Sequence, residues 1–183
     1  MRTPILALAA AGLLQSIAVQ AQTPPPAPKG CTAPEARQFD FWVGRWDVYP
    51  NGKDTLVAHS LIERLYMGCG IRENWMPLRA GGGGSLNSYV PTEKAWRQTW
   101  IDSSGARVEF KGGLHDKSMV LEGFWAGSAP GGKDGITRMT YTPNPDGSVR
   151  QHGQVSTDQG RTWVESFDFI YKPAKDPPAK TPA

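Results

Sequence analysis

The sequence predicts an all-β domain, an antiparallel up-and-down β-barrel of about ten strands entered through a short N-terminal helical turn. Three observations lead there. Short segments rich in Trp, Val, Tyr, Phe and Thr alternate apolar and polar side chains, the period of a half-buried strand. Reversal-prone clusters separate them at hairpin spacing, among them Asn51-Gly52-Lys53-Asp54, Asp102-Ser103-Ser104-Gly105 and Asn144-Pro145-Asp146-Gly147. Phe39 to Trp46, Phe-Asp-Phe-Trp-Val-Gly-Arg-Trp, sets four aromatics in eight residues at the head of the series. So many locally joined strands in one small domain either stack as a sandwich or close, and closure removes exposed edges.

The chain divides into four parts. Residues 1–21 read as a secretory signal peptide: Arg2 is the positive start, Ile5 to Val19 the apolar stretch, and Val19-Gln20-Ala21 the small-residue cleavage site. The rival reading, a membrane anchor, is disfavoured because Gln15, Ser16 and Gln20 interrupt a stretch already short for a bilayer span. Residues 22–33 form a Pro-rich linker, 34–172 the barrel domain and 173–183 a disordered Pro/Lys-rich tail. The product is expected in the periplasm or outside the cell, with no stable membrane span once the signal is removed. Loss of Arg2 takes the basic count from 20 to 19 against 17 acidic residues, with no basic stripe, so nucleic acid is not an expected partner.

Strands are expected at Trp42–Tyr49, Thr55–Tyr66, Gly70–Met76, Ser85–Val90, Trp96–Ile101, Arg107–Gly112, Met119–Ala126, Ile136–Thr142, Val149–Ser156 and Thr162–Tyr171. Glu35 to Phe39 supplies the helical turn, which can plug one barrel end. Gly44 allows close approach at the first strand, and Trp46 is large enough to fill the barrel floor. Gly81 to Gly84 reads as a flexible hairpin tip at the mouth; it lacks the Lys-Ser/Thr of a phosphate loop. Cys31 and Cys69 are the two cysteines of an exported chain and are expected to pair, no Cys-x-x-Cys being present.

Gly44-Arg45-Trp46 on the first strand resembles the lipocalin and wider calycin pattern. The fuller set adds Glu73-Asn74-Trp75, Gln98 to Asp102, Met119 to Gly123 and Gly160-Arg161-Thr162-Trp163 to the aromatic block. Together these resemble an exported bacterial domain-of-unknown-function family with a lipocalin-like barrel. The resemblance covers nearly the whole mature domain; it implies the fold and carries over no catalytic residues.

Alternation assigns the interior. Ile71, Glu73 and Trp75 share one face, as do Trp96, Gln98 and Trp100, then Val149, Gln151 and Val155, and finally Trp163, Glu165, Phe167, Phe169 and Tyr171. Arg138 is expected to point outward, opposite Met139 and Tyr141. The candidate ligand-binding residues are therefore Glu73, Trp75, Trp96, Gln98, Trp100, Gln151, Trp163, Glu165 and Phe167, an apolar wall with polar handles. A filled core in which each polar group bonds a neighbour stays open as the alternative. No metal site is expected and no cofactor: His59, His115 and His152 lack partners at ligand spacing, and haem ligation by His152 is the weaker reading. Three functions remain: an exported binder of a small apolar or amphipathic molecule, an enzyme using the cavity carboxylates as acid and base, or a filled-barrel interaction or stress protein. Binding is favoured over catalysis, since no nucleophile-elbow or Ser-His-acid pattern can be assembled.

Overall fold

Ten antiparallel strands follow one another around a closed barrel in the computed structural model, which describes residues 31–79 and 81–175. The segment expected to be a signal peptide, 1–21, most of the expected linker and residues 176–183 lie outside the described residues. The strands are β1 (Gly44–Pro50), β2 (Ala58–Leu65), β3 (Gly70–Pro77), β4 (Gly83–Val90), β5 (Ala95–Asp102), β6 (Arg107–His115), β7 (Ser118–Ala129), β8 (Lys133–Pro143), β9 (Val149–Ser156) and β10 (Val164–Pro173). Each pairs with its sequence neighbours, and β10 returns to β1 with Val48 opposite Tyr171 and Trp46 opposite Pro173. That last pairing leaves no free edge.

Several boundaries move. Trp42 belongs to a helical turn, not to β1: two 3₁₀ turns, Pro34–Arg37 and Asp40–Trp42, precede the strand. Pro34 opens the first, where its fixed φ is compatible and its missing N–H costs nothing. Gly83 and Gly84 are not a tip; they open β4 opposite Trp75 and Asn74. At the other end β10 takes in Pro173, and the Ala174 N–H donates to the Arg45 carbonyl, so the ordered domain runs past residue 172.

The two turns form the plug. Phe39 and Trp42 are fully buried and stack at 4.8 Å. Phe39 also meets Trp96 and Tyr141 edge-on at 5.7 and 5.0 Å, while Trp42 lies 4.7 Å from the Tyr141 ring. Trp46 is buried at this end with Phe39 and Trp42, and its Nε1 donates to the Trp42 carbonyl at 2.9 Å, so it ties the plug to the first strand. Gly44 is needed beside it, because a Cβ there would sit 3.3 Å from the Trp46 indole.

Covalent and ionic ties reinforce the plug. Cys31 and Cys69 form the expected disulfide, joining the chain before the first turn to the connection between β2 and β3. Arg37 donates to the Cys31 carbonyl, and Arg64 of β2 pairs with Asp40. Around the barrel, outward-facing ion pairs such as Arg97 with Glu93, Arg138 with Glu122 and Arg150 with Asp168 confirm the outward position of Arg138. A lipid-facing band excludes such charges from its middle. Among the described residues no helix is long and apolar enough to cross a membrane.

Two outcomes follow for stability. Replacing Cys31 and Cys69 by Ser opens a loop of 38 residues and is expected to cost up to about 4 kcal/mol, measured as a lower urea midpoint. Trp42→Ala removes a fully buried indole and is expected to cost about 3–5 kcal/mol in the same measurement.

Candidate functional site

Above the plug the barrel is hollow. A cavity of about 280 Å³ lies between the plug and the opposite mouth, so one end of the interior is filled and the other is not. Its outer wall is aromatic: half-buried Trp75, Trp100, Trp125, Phe167 and Phe169. Trp100 and Trp125 face each other at 6.5 Å, Phe167 and Phe169 stack at 5.3 Å, and Trp75 sits 5.8 Å from Phe169. Phe167 gains its place from Gly153 on the neighbouring strand, where any Cβ would overlap the Phe167 ring. The base is different. Glu73, Gln98, Gln151, Tyr141, Tyr171 and Met139 line it, all buried.

These base groups belong to one hydrogen-bond network that crosses seven strands. Ser85 Oγ donates to Glu73 Oε2 at 3.0 Å and Ser60 Oγ reaches Oε1 at 3.5 Å. Asn87 Nδ2 donates to the Ile71 carbonyl and to Ser85 Oγ, which leaves Asn87 Oδ1 as the acceptor for Gln98 Nε2 at 2.7 Å. The backbone bond thereby settles both amide orientations. Across the barrel, Tyr171 donates to Gln151 Oε1 at 2.6 Å and Gln151 Nε2 donates to the Tyr141 hydroxyl at 3.1 Å. One acceptor is left over: Gln98 Oε1 is buried with no partner. An orphan of this kind costs about 1–3 kcal/mol unless something else fills it.

Among the described residues Glu73 is the only acidic side chain on the cavity, and no Lys, Arg or His lines it. Burial pushes its carboxyl from the ordinary 4.5 up to about 7, against the opposing hydrogen bonds from Ser85 and Ser60. Burial and the negative charge of Glu73 also push the Tyr141 and Tyr171 hydroxyls up, so both stay neutral.

The expected site residues separate into two groups. Glu73, Trp75, Gln98, Trp100, Gln151 and Phe167 come together on the cavity. Trp96 does face inward but at the plug end, where its Nε1 donates to Gln38 and its ring meets Phe39, so it is core and not cavity wall. Trp163 and Glu165 are on the outside. A β-bulge between Glu165 and Phe167 inserts Ser166 as an extra residue, and everything before it switches faces. Glu165 therefore meets His152 on the outer surface, and Trp163 lies under the Arg138 guanidinium at 3.8 Å.

Trp125, Met139, Tyr141, Phe169 and Tyr171 complete the lining. Trp125 was legible by parity, being on the Met119 and Leu121 face of β7, though that strand's interior was not assigned from sequence. The histidines are elsewhere: His59 bonds Asp47 at 2.8 Å, His152 bonds Glu165, and His115 ends β6. Among the described residues no group of three or more His, Cys, Asp or Glu is placed to hold a metal ion.

No protein-family model matches the chain, and no curated protein matches it either.

The Glu73 geometry sets a pH dependence. A carboxyl held near 7 when folded and near 4.5 when unfolded binds its proton more tightly in the native state. Its stability contribution is present in full below about 4.5 and lost as pH rises through about 7, roughly 3 kcal/mol in total. Thermal unfolding of Glu73→Gln is expected to lack this decline and to exceed the wild type at pH 8 by about 5–10 °C. Equal midpoints for the two proteins at pH 8 would count against it.

Proposed function

We propose that this chain is an exported binding barrel for a small apolar or amphipathic molecule, with the apolar part of the ligand between the mouth aromatics and its polar part at the Glu73, Gln98 and Gln151 base. The observation that supports this best is the joining of a hollow, Trp-lined cavity to a polar base with an unfilled acceptor. Export is supported by the signal-like residues 1–21 and by the disulfide, which oxidising compartments favour. The motifs quoted above place it, on this proposal, with the exported bacterial lipocalin-like proteins it resembles.

Glu73 supports a second reading. A carboxyl shifted to about 7 beside a cavity suits a general acid or base, although Glu165, the other carboxylate considered, is on the far side of the wall. Turnover of a bound compound that stops in Glu73→Gln would favour catalysis over binding.

The binding reading is tested by titrating a panel of isoprenoids, fatty acids, aromatic metabolites and amines against intrinsic Trp emission. A saturable change is expected, and Trp100→Ala is expected to weaken the best ligand by about 1–3 kcal/mol. A flat response to the whole panel, or an unchanged affinity in folded Trp100→Ala, argues for a cavity with no ligand.

A further inference from the structure

We infer, resting on the binding reading above, that the cavity takes an organic cation: an amine whose ammonium group meets Glu73 and the Gln98 side-chain carbonyl while its apolar body lies among Trp75, Trp100 and Trp125. Counting donors and acceptors at the base leads to this. The amide and hydroxyl hydrogens there are committed. Gln98 Nε2 is shared among Asn87, Ser85 and Tyr141; Gln151 Nε2 goes to Tyr141 and Met139; the Tyr171 hydroxyl goes to Gln151, and the Tyr141 hydroxyl to Met139 Sδ.

What remains free is acceptor capacity. Gln98 Oε1 has no donor, and the Glu73 carboxylate, with room for about four hydrogen bonds, receives only the Ser60 and Ser85 hydroxyls. The Gln98 side chain reaches the same corner of the base as Glu73, its Nε2 lying 3.5 Å from the Ser85 Oγ that donates to Glu73. Among the described residues the buried side-chain donors without a hydrogen-bond partner, Trp42 Nε1 and Arg64 Nη1, are at the plug and not on the cavity. A ligand that completes this base must bring hydrogen-bond donors, N–H or O–H.

Charge selects among such ligands. No Lys, Arg or His lines the cavity, so a carboxylate head would meet Glu73 with nothing to offset the repulsion. An ammonium group meets an anion whose desolvation has already occurred on folding, and the indole faces of the wall attract cations as well. A neutral alcohol satisfies the acceptors but gains no charge pairing.

The pH course follows from the groups around Glu73. Ser60 on β2, Ser85 and Asn87 on β4, Gln98 on β5, Tyr141 on β8, Gln151 on β9 and Tyr171 on β10 make up the polar base; the two tyrosines are the only titratable members and stay neutral. Glu73 alone changes charge across neutrality. Below about 7 it is protonated and pairs weakly with a cation; above about 7 it is ionised, so amine affinity rises with pH and then levels off.

Isothermal titration with tryptamine, tryptophol and indoleacetate tests this, since the three share a ring and differ in head group. At pH 8 tryptamine is expected to bind at least about tenfold more tightly than indoleacetate, with tryptophol between them. Its affinity should rise several-fold from pH 6 to pH 8 while that of tryptophol stays flat, a comparison that needs no variant. In Glu73→Gln the tryptamine affinity should fall to the tryptophol level with tryptophol unchanged. Equal binding of all three, or tighter indoleacetate, overturns the cation inference and leaves the binding reading standing. Failure of all three together with a flat response to the wider Trp-emission panel removes both.

Discussion

The stacked pair Phe39 and Trp42 closes one end of the barrel, and the character of the interior depends on it. A ten-strand barrel is too wide for its wall residues alone to fill every layer, so something must block one end if the inside is to be anything but a water-filled tube. Here two short helical turns bury two stacked aromatic rings at that end, with Tyr141 packed on them from the cavity side. The Trp46 bond to the Trp42 carbonyl, the Cys31 to Cys69 disulfide and the Arg64 to Asp40 ion pair each act on that one segment from a different direction. Its short turns have little cohesion of their own and are held by these tertiary contacts.

A closed floor also explains the electrostatics. Glu73 is buried, 5% exposed, because the plug covers it on one side and aromatic rings narrow the approach from the mouth. Proteins seldom bury a carboxyl without a cation beside it, and here two serine hydroxyls take the place of one. Those bonds reduce the upward shift without cancelling it, which leaves Glu73 close to its midpoint at neutral pH. Elsewhere in the network the Asn87 amide is oriented by the Ile71 carbonyl, the Gln98 amide by Asn87 and the Gln151 amide by the two tyrosine hydroxyls, and each of the three stands on a strand paired on both sides. Polar groups held so firmly have low reorganisation on ligand binding.

Legibility along the chain followed the regularity of the local period. Strands β3, β5 and β9 alternate without interruption, so the inward positions of Glu73, Trp75, Gln98, Trp100 and Gln151 could be read directly. Strand β10 alternates equally well on paper, and there the reading failed for Trp163 and Glu165. A bulge adds one residue to a period of two and reverses every assignment on its far side, and nothing in Val-Glu-Ser-Phe announces it. Trp42 shows a different failure: an aromatic run next to a strand has the composition of a strand, and the helical turn Asp40–Trp42 is held by the contacts of the plug.

The sequence by itself determined the class of fold, the count and order of strands, the pairing of the two cysteines and most of the aromatic and polar residues that face inward. These are local or compositional properties: turn chemistry, alternation, and a choice of partner that two cysteines leave no freedom in. Only the tertiary structure decided that the barrel is filled at one end and hollow at the other, that Trp42 stacks on Phe39 in the plug, and that Gln98 Oε1 is left without a donor. Each of those depends on distances between residues far apart in the chain, where a displacement of about 1 Å decides whether a space is packed or open and whether a hydrogen bond is made.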